Sequence, residues 1–201
     1  MRRILLLLSL LLLPATAAWG NEFTVFGGYR FGGDFDAYVS PRDPFAVALK
    51  VEEGDVLGAA LDVDLGDDLA LEFSVTHQET NLLLDAGFLE PGIELGNITL
   101  NYYLVGLQWQ WGPGQVQPYF TLSIGAAELD PQAPGASSET RLAGAAAFGV
   151  KVFATQSLGV RLEGRGLWAD LDQTDRFDRG FGYADNDLYQ FELTAGLIFR
   201  F

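Results

Sequence analysis

The sequence predicts an all-β chain, an eight-stranded antiparallel up-and-down transmembrane β-barrel with short turns at one end and four long loops at the other. Three observations carry the prediction. Apolar and polar residues alternate with a period of two through eight segments, the period of a strand whose two faces meet different surroundings. The connections between these segments alternate strictly between long and short, and the formal net charge of −15 falls in the long ones. The 201 residues include 49% hydrophobic residues, 24 Gly and no Cys, so disulfides and thiolate metal sites play no part in the architecture.

The first 20 residues stand apart from this pattern. Arg2 and Arg3 precede an apolar run from Ile4 to Leu13, followed by the small residues Ala15, Ala17, Ala18 and Gly20. That is the layout of a secretory signal peptide, cleaved after Ala17 or after Gly20. A mature start near Asn21 leaves 21–201 as one barrel domain. No later stretch approaches the ~18–20 continuous apolar residues of a membrane helix, so any crossing is made by strands.

The segments lie near 22–32, 55–65, 69–79, 99–111, 116–127, 140–153, 158–169 and 188–201. Each has roughly the 9–11 residues, or slightly more, of a tilted membrane strand. In the first, "EFTVFGGYRF", Phe23, Val25, Tyr29 and Phe31 oppose Thr24, Phe26, Gly28 and Arg30. The second places Asp62 and Asp64 on its polar face, and the third, "LALEFSVTHQ", sets Leu69, Leu71, Phe73 and Val75 against Ala70, Glu72, Ser74, Thr76 and Gln78. The fourth is ambiguous, because "NYYLVGLQWQW" is apolar on both faces. Gly106, Gln108 and Gln110 mark its interior, which leaves Tyr103, Val105, Leu107, Trp109 and Trp111 facing lipid, with the two Trp at interface depth beside a short turn. The fifth is "VQPYFTLSIGA"; the sixth points Arg141 and Lys151 inward. In the seventh, Leu158, Val160, Leu162 and Trp168 oppose Gly159, Arg161, Glu163 and Arg165. The last, "ELTAGLIFRF", alternates Leu193, Ala195, Leu197, Phe199 and Phe201 with Glu192, Thr194, Gly196, Ile198 and Arg200.

The interior faces therefore collect Asp62, Asp64, Glu72, Glu163 and Glu192 together with Arg30, Arg141, Lys151, Arg161, Arg165 and Arg200. Such near-balance is what a narrow closed interior requires, since an unpaired buried charge is costly and a paired, hydrogen-bonded one is tolerated. Residues two apart on a strand project from one face at ~6.5–7 Å spacing, so Glu163 neutralises both Arg161 and Arg165. The same trio could also be read as a polar conduit or an anion site, but structural pairing is the simpler account. Eight strands leave room for side chains and little else, so the lumen is expected to be filled.

The short connections are "GDD" at 66–68, "GPGQ" at 112–115 and "ATQS" at 154–157, built of turn-forming or small polar residues. The long ones lie near 33–54, 80–98, 128–139 and 170–187. Taken as 33–55, 79–96, 128–139 and 170–187, they hold 6 acids against 2 bases, 4 against none, 3 against none and 6 against 2, which accounts for the whole net charge of −15. A surface so acidic argues against nucleic acid as a partner.

In "TVFGGYRFGG", "VQPYFTLSIGA", "TRLAGAAAFGVKVF" followed by "LGVRLEGRG", and the terminal "TAGLIFRF", the chain resembles the eight-stranded outer-membrane β-barrel families of Gram-negative bacteria, in particular the broad outer membrane protein beta-barrel domain group. The resemblance implies export to the periplasm and insertion in the outer membrane, with short periplasmic turns, extracellular loops, contact with outer-membrane lipid and lipopolysaccharide, a monomeric state and no cofactor. It also implies that Thr194, Gly196, Phe199 and Phe201 form the signal by which the barrel assembly machinery reads the last strand.

Two sets of residues are candidates for chemistry. Lipid A deacylases and palmitoyltransferases share this architecture and set a His with Ser or a carboxylate near the outer rim. His77 is the sole histidine and lies near the outer end of its strand beside Gln78 and Glu79, but alternation points it outward with Phe73 and Val75, and no His-x-Ser-Asn pattern is present. An interfacial role is favoured over a catalytic one. Asp170, Asp172 and Asp175 in "DLDQTDRFD", with "DND" at 185–187, carry oxygen ligands suited to Ca²⁺, yet they lack the sixth-position Gly and twelfth-position Glu of an EF-hand loop. A solvated acidic loop is the plainer reading, with cation bridging to lipopolysaccharide as its extension. The sequence thus points to a structural or adhesive barrel acting through acidic loops; the alternatives are a lipid A-modifying enzyme using His77 and a conduit for small apolar solutes.

Overall fold

The structure, a computed structural model, describes residues 20–38, 46–84, 93–112, 114–132, 138–170 and 187–201. Ten strands form among them: β1 (Glu22–Gly32), β2 (Asp34–Tyr38), β3 (Ala46–Val51), β4 (Gly54–Gly66), β5 (Leu69–Leu84), β6 (Ile93–Gln110), β7 (Val116–Pro131), β8 (Glu139–Phe153), β9 (Leu158–Asp170) and β10 (Asp187–Arg200). Eight of them close a barrel in the order β1-β4-β5-β6-β7-β8-β9-β10, every neighbouring pair antiparallel. The closing seam pairs β1 with β10 from Glu22↔Arg200 to Gly32↔Gln190. Closure removes both sheet edges, so each backbone group inside the bilayer has a partner within the wall.

Alternation sets the facing, as the period of two requires. Along β10 every second residue from Leu188 to Ile198 is buried, while Tyr189, Phe191, Leu193, Leu197 and Phe199 are exposed on the outer wall. On β9, Arg161, Glu163 and Arg165 point inward and Val160 and Leu162 outward. Trp109 and Trp111 sit on the outer wall beside the 111–115 connection, and the Trp109 ring stacks on Phe120 at 6.2 Å. The first short turn is built by Asp67 and Asp68 between the paired Gly66 and Leu69, with φ of 52° and 61°. Two left-handed residues in succession give the hairpin the hand that matches strand twist, and Asp accepts that conformation better than most side chains.

Three expectations need correction. The connection near 33–54 is not a plain loop: it holds the β2–β3 hairpin, and β3 takes over from β4 along the outer end of β5 through Leu49↔Leu84, Lys50↔Leu83 and Val51↔Leu82. Asp64 shares the inward parity of Asp62 but lies exposed at the turn end, where its carboxylate accepts the Gly66 amide at 2.9 Å. Arg141 likewise has inward parity but stands at the opposite rim, ion-paired with the exposed Glu139. In both cases the alternation holds and the strand has simply left the enclosed part of the lumen.

The outer wall yields a direct test of depth. Leu162 and Leu158 both face outward on β9, four residues apart, with Leu158 next to the 154–157 turn. A Leu162→Arg barrel refolded in lipid vesicles is expected to lose ~2–4 kcal/mol of unfolding free energy and a Leu158→Arg barrel only ~0–1 kcal/mol, the difference between midplane and interface. Equal losses in urea titrations of the two variants would contradict this placement of the wall.

Candidate functional site: the ionic layer of the lumen

Inward-facing charge on these narrow strands has no water to turn to, so it must be satisfied by other side chains. Among the described residues the interior brings together five carboxylates, Glu22, Asp62, Glu72, Glu163 and Glu192, and five cations, Arg30, Lys151, Arg161, Arg165 and Arg200; all are buried except Arg200, whose side chain is 27% exposed at the turn end. The set is electrically balanced.

Its centre is a crossed arrangement of two arginines and two glutamates. Arg161 Nη2 donates to Glu72 Oε2 at 2.6 Å and also to Glu163, while its Nε donates to the Tyr119 hydroxyl at 2.7 Å. Arg165 donates from Nε to Glu163 Oε1 at 2.9 Å and from Nη2 to Glu72 Oε1 at 3.2 Å. Each glutamate thus bridges both arginines, and each arginine both glutamates. Tyr119 closes the group by donating to Glu163 Oε2 at 2.7 Å, and its ring lies 4.8 Å from the Arg161 guanidinium carbon. Gly149 makes room for this ring, since a side chain there would overlap the Tyr119 hydroxyl.

Toward the turn end, Lys151 donates to Glu22 Oε2 at 2.6 Å, Asp62 Oδ2 at 2.8 Å and Gln108 Oε1 at 2.5 Å. Gln108 hands the connection on by donating to Glu72 Oε2 at 3.1 Å. Glu22 also accepts from Arg200 at 2.6 Å and 3.0 Å, and the Arg200 guanidinium rests 3.6 Å above the Phe153 ring. Since Glu22 belongs to β1 and Arg200 to β10, this pair clamps the closing seam. Toward the loop end, Arg30 donates twice to Glu192 Oε2, at 2.7 and 3.0 Å, and also to Gln78 and Thr76.

Beyond Arg30 the lumen changes character. Ile98, Leu100, Tyr102, Leu104, Leu129, Leu167 and Leu188 form a buried apolar layer that also takes in Val51 from β3. Between the ionic layer and the β2–β3 hairpin that carries Val51, apolar side chains are the cheaper filling, because buried polar groups there would need partners.

Sequence reasoning named Arg30, Glu72, Lys151, Arg161, Glu163, Arg165 and Glu192, which the structure places inside the lumen, and Arg141 and Arg200, which it places at the rims. It missed Glu22 and Tyr119 as members. Parity was the available signal, because Glu22 keeps step with Thr24 and Arg30, and Tyr119 with Gln117 and Thr121.

The other candidates lie elsewhere. His77 is on the outer wall, its Nδ1 2.7 Å from Asn101 Oδ1 and its Nε2 3.5 Å from Glu79; no hydroxyl is hydrogen-bonded to it among the described residues. Asp170 ends β9 opposite Asp187, whereas Asp172 and Asp175 fall outside the described residues; no cluster of three or more metal-ligating side chains occurs among the described ones. Thr194 and Gly196 face inward on β10, and Phe199 and Phe201 are exposed at its turn end.

The Outer membrane protein beta-barrel domain model matches residues 4–201. Among solved structures, Neisserial surface protein A is 12% identical with a TM-score of 0.55, covering 89% of this chain and 97% of its own. OprG from Pseudomonas aeruginosa is 14% identical with a TM-score of 0.54, over 92% and 99% of the two chains. The N-terminal barrel domain of Pseudomonas aeruginosa OprF is 13% identical with a TM-score of 0.51, over 92% and 100%. At such identities these likenesses speak for the fold alone. No curated protein matches the sequence. With a closed eight-stranded wall, an apolar outer surface and a family match across nearly its whole length, the chain belongs to the outer membrane protein beta-barrel domain family, and its place is the outer membrane of a Gram-negative bacterium.

Proposed function

We propose that the protein is a sealed, monomeric barrel that performs a structural or surface-interaction role and acts through its acidic extracellular loops rather than through catalysis or ion conduction. One observation carries this reading: the ionic layer spans the lumen, with Arg30, Lys151, Arg161, Arg165, Glu72 and Glu192 at 2% exposure or less. An ion entering the lumen meets charges already neutralised by one another and no water-filled path. The activity then falls to the loop end, where the sequence concentrates the net charge of −15. A surface of that sign attracts basic or cation-bridged partners, lipopolysaccharide among them.

A second reading, a conduit for small apolar solutes, is favoured by the apolar layer of Leu100, Leu104, Leu129, Leu167 and Leu188 at the loop end of the lumen. Such a route leaves sideways into the bilayer, because the ionic layer blocks the way to the periplasm. On either reading Thr194, Gly196, Phe199 and Phe201 serve the assembly machinery.

Three outcomes check the proposal. In planar bilayers the wild-type barrel is expected to show no steady ion conductance, while a barrel with Glu72, Glu163, Arg161 and Arg165 all replaced by Ser conducts; steady conductance by the wild type would sink the sealed reading. Replacing Glu163 by Leu leaves Arg161 and Arg165 to share Glu72, with one positive charge in excess, and is expected to cost ~3–5 kcal/mol in equilibrium unfolding, whereas Glu163→Gln, which keeps one acceptor, costs less. An unchanged unfolding midpoint for Glu163→Leu speaks against the network as the stabilising core. For the assembly signal, Phe199→Ala with Phe201→Ala is expected to lower the amount of heat-modifiable barrel in the outer membrane while export continues; a normal amount argues that these rings only face lipid.

A further inference from the structure

At the boundary between the ionic and apolar layers, three buried polar atoms have no hydrogen-bond partner among the described residues: Gln78 Nε2, Gln190 Nε2 and Glu192 Oε1. Their side chains are 1%, 4% and 0% exposed. All three belong to the surroundings of Arg30. Gln78 Oε1 accepts from Arg30 at 3.1 Å and Glu192 Oε2 accepts from the same guanidinium, which leaves the other end of each group unpartnered. Gln190 is two residues from Glu192 on the same face of β10, and its Oε1 accepts from the Tyr102 hydroxyl at 2.8 Å; the Tyr102 ring in turn lies 4.9 Å from the Arg30 guanidinium carbon. Gln78 cannot be turned over without losing the bond its oxygen accepts from Arg30, whereas Gln190 keeps a bond to the Tyr102 hydroxyl in either orientation, since that hydroxyl both donates and accepts.

An apolar side chain stands over these groups. Val51 is wholly buried, and its amide donates to the Gly33 carbonyl at 3.0 Å. Gly33 has a φ of +122°, and a Cβ built on it would lie 2.9 Å from Val51 Cβ and 3.3 Å from Gln190 Nε2, so the valine and the unpartnered amide crowd the same side of one glycine. On the other flank, Gln78 Nε2 approaches Gly54, three residues after Val51. Val51 therefore occupies a place whose polar floor it cannot satisfy. The segment carrying it is fastened at the loop-end rim of β5: Glu52 receives Asn81 Nδ2 at 2.8 Å on its carboxylate and Thr80 Oγ1 at 2.6 Å on its carbonyl.

We propose that this place is a binding site for a small neutral alcohol with an apolar tail, and that Val51 is its built-in occupant, displaced when the alcohol enters. The chemistry selects the class. The unpartnered N–H donor of Gln78, the unpartnered carboxylate oxygen of Glu192 and the outer end of the Gln190 amide, which can present a donor, suit a hydroxyl, which donates once and accepts twice. Arg30 is already neutralised by Glu192, so a carboxylate headgroup would bring an uncompensated charge into the lumen, and a plain alkane would leave all three atoms unsatisfied. The tail lies among Leu100, Leu104 and Leu188 of the apolar layer. On the outer wall, a groove of about 690 Å³ is lined by Leu122, Trp168, Tyr189, Phe191, Gly32 and Gln190. The site rests on the apolar layer that favours the conduit reading, but it requires binding only and holds whether or not any solute crosses.

The test is solution NMR on the full barrel in lipid nanodiscs, with 1-octanol, octanoate and octane as probes. Octanol is expected to shift the side-chain amide signals of Gln78 and Gln190 saturably and to show cross-peaks to the Leu188 methyls. Gln78→Leu with Gln190→Leu should weaken octanol binding at least tenfold while the barrel remains heat-modifiable, and Val51→Gly should strengthen it. If the double variant fails to fold, Gln190→Leu alone and the order octanol over octane and octanoate in the wild type carry the test. Equal shifts from octane, tighter binding of octanoate, or glutamine amides that exchange with water only and ignore all three probes would each overturn the proposal. Binding without uptake of octanol into vesicles would retire the conduit and leave the site standing.

Discussion

Neutralisation of Arg161 and Arg165 by Glu72 and Glu163 is the constraint on which the rest of the interior depends. Four charges meet in the middle of a wall only eight strands round, where water cannot solvate them. Removing any one leaves a charge with no partner of equal quality, so the four stand or fall together. The chain of bonds through Gln108 and Lys151 to Glu22, and from Glu22 to Arg200, extends this group to the seam where the first and last strands meet. Closure of the barrel and satisfaction of its interior are thus one event: until β10 pairs with β1, Glu22 lacks Arg200, and until the wall is round, the two arginines lack Glu72.

That dependence explains the zoning of the molecule. Above the balanced ionic layer the inward side chains are buried, and a compartment of that kind is filled best by apolar groups, which is where Leu100, Leu104, Leu129, Leu167 and Leu188 are found. The lipid-facing wall needs the opposite rule from a soluble protein, with Leu, Phe and Val outward and charge inward. The net negative charge of the sequence falls in the four long connections.

How far this could be seen in the sequence depends on whether a residue has two unlike sides. On β5, β9 and β10 one face meets lipid and the other the ionic layer, so period two is strong and the inward positions of Glu72, Arg161, Glu163, Arg165 and Glu192 follow from it. In "NITLNYYLVG" on β6 both faces are apolar, because Leu100, Tyr102 and Leu104 fill the dry half while Tyr103 and Val105 meet lipid, and the alternation fades. The β2–β3 hairpin was illegible for a related reason: it lies beyond the lipid-spanning part of the wall, where no bilayer imposes a facing. Parity also says nothing of depth, which is why Asp64 and Arg141 share the interior phase yet stand at the rims. The unpartnered glutamines below Val51 come from residues far apart in the chain and are brought together only by the closed wall.

Sealing of the lumen by the ionic layer is open to direct measurement, because the chain has no cysteine. Ala147 faces inward on β8 opposite Arg165, at 3% exposure, and a thiol is little larger than its methyl group. A single Ala147→Cys barrel in vesicles, treated from each side with a small charged thiosulfonate reagent, is predicted to stay unlabelled while folded and to react fully after denaturation. Rapid labelling of the folded barrel from either side would contradict the sealed lumen.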